Sequence, residues 1–174
     1  MKEINNYILI PKERIAILIG KAGKVKNDIE TRGGVKLDID SESGEVAVTR
    51  KTDEDPSSAM TALDVVRAVA RGFSPQKAYK LWQPNIYIEI IDLTEFLGDS
   101  GKALERVRAR IIGREGKVRG YLSRLTSTDI VIYGKTVGIL GETDNVGLAK
   151  EAMLKIINGL PHNAVFKFLE SRRM

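Results

Sequence analysis

The residues of this chain best suited to chemistry form two short loops of one design. Gly20-Lys21-Ala22-Gly23 is followed by Lys24 and Lys26, and Gly113-Arg114-Glu115-Gly116 by Lys117 and Arg119. Two glycines separated by two residues permit a tight turn and let a ligand reach the main chain without Cβ atoms in the way. Each loop stands where a helical pattern resumes. It therefore opens a helix, whose first N–H groups lack partners and favour an anion. Lys or Arg between and just after the glycines places positive charge at the same spot. Together these features suit the non-covalent holding of a phosphate or a phosphodiester chain. Glu115 is discordant, because it puts a negative charge inside the second loop, offset by Arg114 beside it.

Other candidates for chemistry are weaker. Cysteine is absent and His162 is the single histidine. That removes disulfides, thiolate metal sites, cysteine nucleophiles and multi-histidine clusters from consideration. Asp53-Glu54-Asp55 precedes Pro56 and reads as a solvated helix start, not a metal site. Gly98-Asp99-Ser100-Gly101-Lys102-Ala103 looks like a fragment of a nucleotide-binding P-loop. It lacks the four residues that motif needs between its glycines, and Ala103 stands where a hydroxyl must hold Mg²⁺. A turn into a helix is expected there instead. His162, after Pro161, is expected at the surface or as a cap. No enzymatic activity, metal, cofactor or small-molecule substrate is expected.

The two loops occupy the same place in two similar halves. Gly20 and Gly113 are 93 residues apart, and at that offset Ile19 matches Ile112, Ile29 matches Leu122, Leu37 matches Ile130 and Ile39 matches Ile132. Farther on the offset shortens, so that Lys80 aligns with Lys167. Internal repetition of this kind sets the domain organisation: one domain over residues 1–83 and another over 84–174.

Each half carries the same order of elements. In the first, 7–10 reads as a strand, 12–19 as a helix, 24–32 as a second helix, 35–39 and 45–49 as a hairpin, and a third helix follows Asp53–Ser57 to about Arg71. Val35, Leu37 and Ile39 alternate with Lys36 and Asp38, the pattern of a half-buried strand. The second half repeats the series with a strand at 86–91, helices at 102–112 and 117–125, a hairpin at 129–133 and 136–140, and a helix at 145–158. A further helical segment trails each half, at 75–82 and 162–172. The helix at 102–112 is longer and more basic than its counterpart, with Lys102, Arg106, Arg108 and Arg110, so the second half is expected to grip harder. The run from Arg106 to Arg110 reads equally as a contact to such a phosphodiester chain or as a solvated helix face. Trp82 is expected to fill a seam between closely packed halves. Neither half shows an aromatic platform at its loop.

The chain has 174 residues, 43% hydrophobic and 29% charged, with a formal net charge of +5. This composition fits a globular chain with a mild bias toward an anionic partner. No stretch approaches the roughly 18 apolar residues of a membrane span, and the Met1–Asn6 start has no leader-like apolar run. A cytoplasmic location away from membranes is expected.

The stretch 18–40, with Ile-Gly-x-x-Gly, an apolar residue six positions later and a Gly before an alternating strand, resembles the KH signature. With its second copy, the whole chain is similar to tandem KH proteins of the archaeal partner-of-Nob and KRR-type ribosome-biogenesis family. The resemblance implies an α+β fold of two type I (eukaryotic-type) KH domains. Each would be a three-stranded antiparallel sheet on three helices, with an extra helix after it. It implies single-stranded RNA binding near the 3′ end of small-subunit ribosomal RNA during maturation, with the Nob endonuclease or a translation initiation factor as protein partner. The KH module clamps about four nucleotides with its Gly-x-x-Gly loop. The residues implied are Gly20, Lys21, Ala22, Gly23, Lys24 and Lys26 in the first domain, and Gly113, Arg114, Glu115, Gly116, Lys117 and Arg119 in the second, with Arg106 and Arg110. Apolar grooves for bases would be lined by Ile19, Ile29, Leu37 and Ile39, and by Ile112, Leu122, Ile130 and Ile132. The main alternative is a protein-docking scaffold in pre-ribosome or initiation complexes with one domain not binding RNA. A nuclease and a DNA-binding protein are further alternatives.

Overall fold

A computed structural model describes residues 5–173. Met1–Ile4, part of the segment bearing on a leader, lie outside the described residues. The chain divides into two compact units, residues 1–84 and 85–174.

In the first unit the order is β1 (Asn5–Leu9), α1 (Lys12–Ile19), α2 (Lys24–Gly33), β2 (Val35–Ile39), β3 (Glu45–Arg50) and α3 (Pro56–Ala70). The strands form an antiparallel sheet in the order β1-β3-β2. Leu37 pairs with Val48 and Ile39 with Val46 across the hairpin. The alternation seen in the sequence becomes real sidedness, with Val35 and Leu37 buried and Lys36 and Asp38 exposed. Three helices bury apolar residues over the sheet, including Leu18, Ile29, Val65, Val66 and Val69 with Val46 and Val48. Asp55 caps α3 by accepting from the Ser57 amide, and Pro56 opens the helix, where a missing N–H costs nothing. The Ser57 hydroxyl also bonds Asp55 and, with that amide, holds its carboxyl below the usual value.

The 75–82 segment splits into α4 (Pro75–Ala78) and a 3-10 turn, Tyr79–Trp82. Trp82 packs within its own unit. Its ring lies 5.1 Å from the Arg32 guanidinium carbon; Gly33 beside it is needed by α3, since a Cβ there would fall 2.4 Å from Ala62 Cβ. Within its unit the Trp82 ring therefore stacks on Arg32 at the end of α2.

The second unit repeats the plan with β4 (Ile86–Asp92), α5 (Thr94–Leu97), α6 (Gly101–Ile112), α7 (Lys117–Thr126), β5 (Asp129–Tyr133), β6 (Thr136–Glu142), α8 (Thr143–Ile157) and α9 (His162–Arg172). Its sheet order is β4-β6-β5, also antiparallel. The short α5 has no counterpart among the described residues of the first unit. Ser100 caps α6 through the Ala103 amide, so the P-loop look-alike is a helix start. Leu104, Val107 and Ile111 of α6 meet Ile130, Val137, Ile139, Met153 and Ile156 in one core, which Val165 and Leu169 of α9 extend.

Candidate nucleic-acid interface

The two glycine loops have the same backbone. Gly20 and Gly113 have φ of 76° and 73°, and Gly23 and Gly116 have 74° and 73°. Ala22 and Glu115, the residues between, are also left-handed, at 53° and 55°. The first glycine is required twice over. Besides its φ, a Cβ at Gly20 would fall 2.5 Å from Val25 Cγ2, and one at Gly113 would fall 2.4 Å from Val118 Cγ2. The loop therefore folds back on the first turn of the next helix. At Gly23 nothing lies within 4 Å of such an atom, so this glycine serves backbone conformation and leaves the surface open. Lys21, Ala22, Arg114 and Glu115 are exposed, as are Lys24 and Lys117 just behind them. A bare turn, a helix start and two cations thus coincide in each unit, an arrangement that holds anionic backbone.

The cations differ between units. Lys24 Nζ lies 3.0 Å from Asp28 Oδ2, and this hydrogen bond is the largest cause holding the Asp28 carboxyl below its usual value. Tyr79 also donates to Asp28 at 3.3 Å. In the second unit the position of Asp28 is occupied by Tyr121, so Lys117 meets no carboxylate there.

Beside the second loop, Ile112, Arg119, Ile130, Val131 and Ile132 line a cleft of about 210 Å³. Arg119 donates to the Ile130 carbonyl at 3.2 Å, which draws its half-buried chain along the strand. Ile19 and Ile39 are half-buried at the matching place in the first unit. The other groove candidates sit deeper than expected. Ile29 and Leu37 are fully covered, and Leu122 and Ile130 are 1% exposed. Their side chains form the floor that fixes the groove and offer no surface to a base.

The basic face of α6 divides three ways. Arg106 is exposed. Arg108 is half-buried, with its Nε covered and without a partner. Arg110 donates to the carbonyls of Ile156 at 2.7 Å and Leu160 at 2.6 Å, which holds the end of α8 and the turn after it against α6. Its guanidinium, expected to contact RNA, is engaged with these two carbonyls. Arg14 makes the same bridge in the first unit, to Val69 and Phe73 carbonyls. His162 reaches the same corner, with Nε2 2.9 Å from the Arg110 carbonyl, so it ties α9 to α6.

The structure also brings aromatics to the second loop, against expectation. Tyr121 packs edge-on to Phe166 of α9, with centroids 4.7 Å apart at 80°. These two rings, with Glu115, Gly116, Lys117, Val118, Gly120 and Arg124, line a pocket of about 580 Å³. The sequence hid this platform because its halves come from α7 and from the trailing helix, which only the fold joins. Among the described residues, no group of three or more His, Asp or Glu is placed to hold a metal ion, and no helix is long and apolar enough to cross a membrane.

Two units, each with a three-stranded antiparallel sheet, three core helices (α1, α2 and α3; α6, α7 and α8) and a glycine loop between the first two of these, define a tandem type I KH protein. Comparison with known proteins agrees. Residues 87–174 match the family model of the second Pno1 KH domain, described as a eukaryotic type (type I) KH domain, and residues 5–56 match the KH domain model. A KH domain-containing protein of Methanocaldococcus jannaschii is 41% identical over 164 residues, covering 94% of this chain and 72% of its own. Pre-rRNA-processing protein PNO1 of Saccharomyces cerevisiae is 25% identical over 162 residues, covering 91% of this chain; the match spans 59% of the yeast protein. The crystal structure of Dim2p from Pyrococcus horikoshii OT3 superposes with a TM-score of 0.87 at 44% identity, covering 96% of this chain and 98% of that one. Dim2p in the a/eIF2alpha-aDim2p-rRNA complex of the same organism gives 0.89 at 44% identity, covering 98% and 94%. The chain belongs to the Pno1/Dim2 family of KH-domain proteins.

Proposed function

We propose that this protein binds single-stranded RNA and acts in small-subunit ribosomal RNA maturation, near the 3′ end of that RNA, without catalysis of its own. The observation that carries the reading is the shared loop geometry. Both units turn the same bare Gly-x-x-Gly segment, with exposed Lys21 or Arg114, onto the start of a helix. Family membership supports ribosomal RNA as the ligand, since a Pyrococcus relative forms a complex with rRNA. That complex also holds a/eIF2alpha, which supports a translation initiation factor as a protein partner here. The Nob endonuclease follows from the family resemblance as a second partner and as the source of cleavage. We place the stronger grip in the second domain, where Lys117 is not shared with a carboxylate as Lys24 is with Asp28. We take residues 1–83 and 84–174 as the two binding modules and the cytoplasm as their location.

Crosslinking in cells followed by sequencing of the bound RNA tests the reading. Reads concentrated at the 3′ end of small-subunit rRNA are expected. Crosslinks spread evenly over cellular RNA, or absent, would contradict it.

A further inference from the structure

The pocket at Tyr121 and Phe166 lies outside the cleft formed by Ile112, Arg119, Ile130 and Ile132, yet it shares loop residues Glu115 and Gly116 with the clamp. Its volume, about 580 Å³, lies within the roughly 300–1,000 Å³ of sites that take small ligands. The two repeats differ at this point. In the first unit the matching positions hold Asp28 and Tyr79, closed by a hydrogen bond between them and an ion pair to Lys24. In the second unit they hold Tyr121 and Phe166 in an edge-to-face pair, with the Arg124 guanidinium carbon 5.7 Å from the Tyr121 centroid. A hydrogen-bonded plug has been exchanged for ring faces and cations. Gly120 has no side chain to occupy the space between Lys117 and Arg124 on this helix face. The Tyr121 hydroxyl donates to Glu170 Oε1 at 2.7 Å, which fixes the ring from α9, and His162 stacks on Phe166 with centroids 6.2 Å apart.

We propose that this pocket is a base-stacking site belonging to the second domain alone, which takes a nucleobase of the RNA strand just beyond the segment held by the glycine loop. This inference rests on the clamp reading above and extends its footprint. Continuity favours RNA over a protein occupant, because a strand leaving the loop passes Glu115 and Gly116 directly onto the rings. The charges select which part of a nucleotide enters. Lys117 and Arg124 draw the strand's phosphates to the rim. The Glu115 carboxylate repels a phosphate at the loop side and accepts from N–H groups on a base edge. Aromatic stacking tolerates any base because every base has a π-face, so the site lengthens the footprint more than it reads sequence.

The test uses the full chain and labelled oligoribonucleotides of increasing length, from about four nucleotides upward, taken from the 3′ end of archaeal small-subunit rRNA. The readout is the ratio of affinities for the longest and shortest oligomers, compared between wild type and Tyr121→Leu. Leucine keeps apolar contact with Phe166 but removes the ring face. The ratio is expected to fall about fivefold or more, the low end of base-on-aromatic stacking. An abasic nucleotide at the flanking position should weaken wild type by a similar factor and leave Tyr121→Leu little changed, which tests the contact from the RNA side and does not depend on how well the variant folds. Equal ratios in both proteins would overturn the proposal, and so would a protein partner whose binding depends on Tyr121 while the ratio does not. Failure of the clamp reading looks different, since the shortest oligomer would then bind no more weakly to a protein with both loops made acidic.

Discussion

At the residue scale, the loops show how much can depend on the absence of one atom. Gly20 and Gly113 combine a positive φ with a Cβ direction blocked by the valine five residues on. Gly20→Ala or Gly113→Ala must strain the backbone and displace that valine, a loss of roughly 2–3 kcal/mol. Gly23→Ala meets no neighbour and pays only the left-handed conformation, about 1 kcal/mol. Urea denaturation of the three variants should rank them in that order. The spacing of these glycines was legible from the sequence, as was the Lys and Arg around them. The unequal tasks of the two glycines were not, because the clash comes from a side chain folded back over the loop. Arg110 escaped the sequence for a related reason. A basic residue on an amphipathic helix looks the same whether it meets solvent, RNA or the carbonyl ends of a helix distant in the chain.

At the element scale, caps and bridges fix where helices begin and end. Arg110→Met should destabilise the second domain by about 2 kcal/mol, since hydrogen bonds from a charged donor to Ile156 and Leu160 carbonyls are lost. Once folded, the variant should keep wild-type RNA affinity, which equilibrium binding beside the denaturation curve checks. Asp55→Ala removes the cap of α3, and its effect carries a pH signature. The Asp55 carboxyl is held below its usual value of 3.8 by Ser57. The cap is therefore complete above that value and is lost as pH falls through the lower, folded-state one. Thermal melts should show the first domain of Asp55→Ala less stable near neutrality, with the gap to wild type closing in acid. Strand and helix order could be read from the sequence because each unit's alternation and caps are local. The short α5, the break of 75–82 into a turn of helix and a 3-10 turn, and the Tyr121–Phe166 pair could not, since each depends on packing between segments far apart in the chain.

At the scale of the whole molecule, duplication has given two loops of one geometry and two different surroundings. In the first unit Asp28 bonds both Lys24 and Tyr79 behind the loop, and in the second the matching place is a pocket lined by Tyr121 and Phe166. That asymmetry favours a protein whose second domain dominates RNA affinity. Binding should be driven by phosphate contacts and so should weaken linearly in a log–log plot against salt. The direct measurement is RNA affinity between about 50 and 200 mM salt for wild type and for a variant in which Lys21-Ala22 and Arg114-Glu115 are both replaced by Asp-Asp. Aspartate tolerates the left-handed backbone at Ala22 and Glu115, so the variant should retain its fold by circular dichroism. Its affinity should fall at least about tenfold at the lower salt, with a slope shallower by about 1.4, or about 0.7 for each of the two lost cations. A folded variant with unchanged affinity and slope would contradict the account.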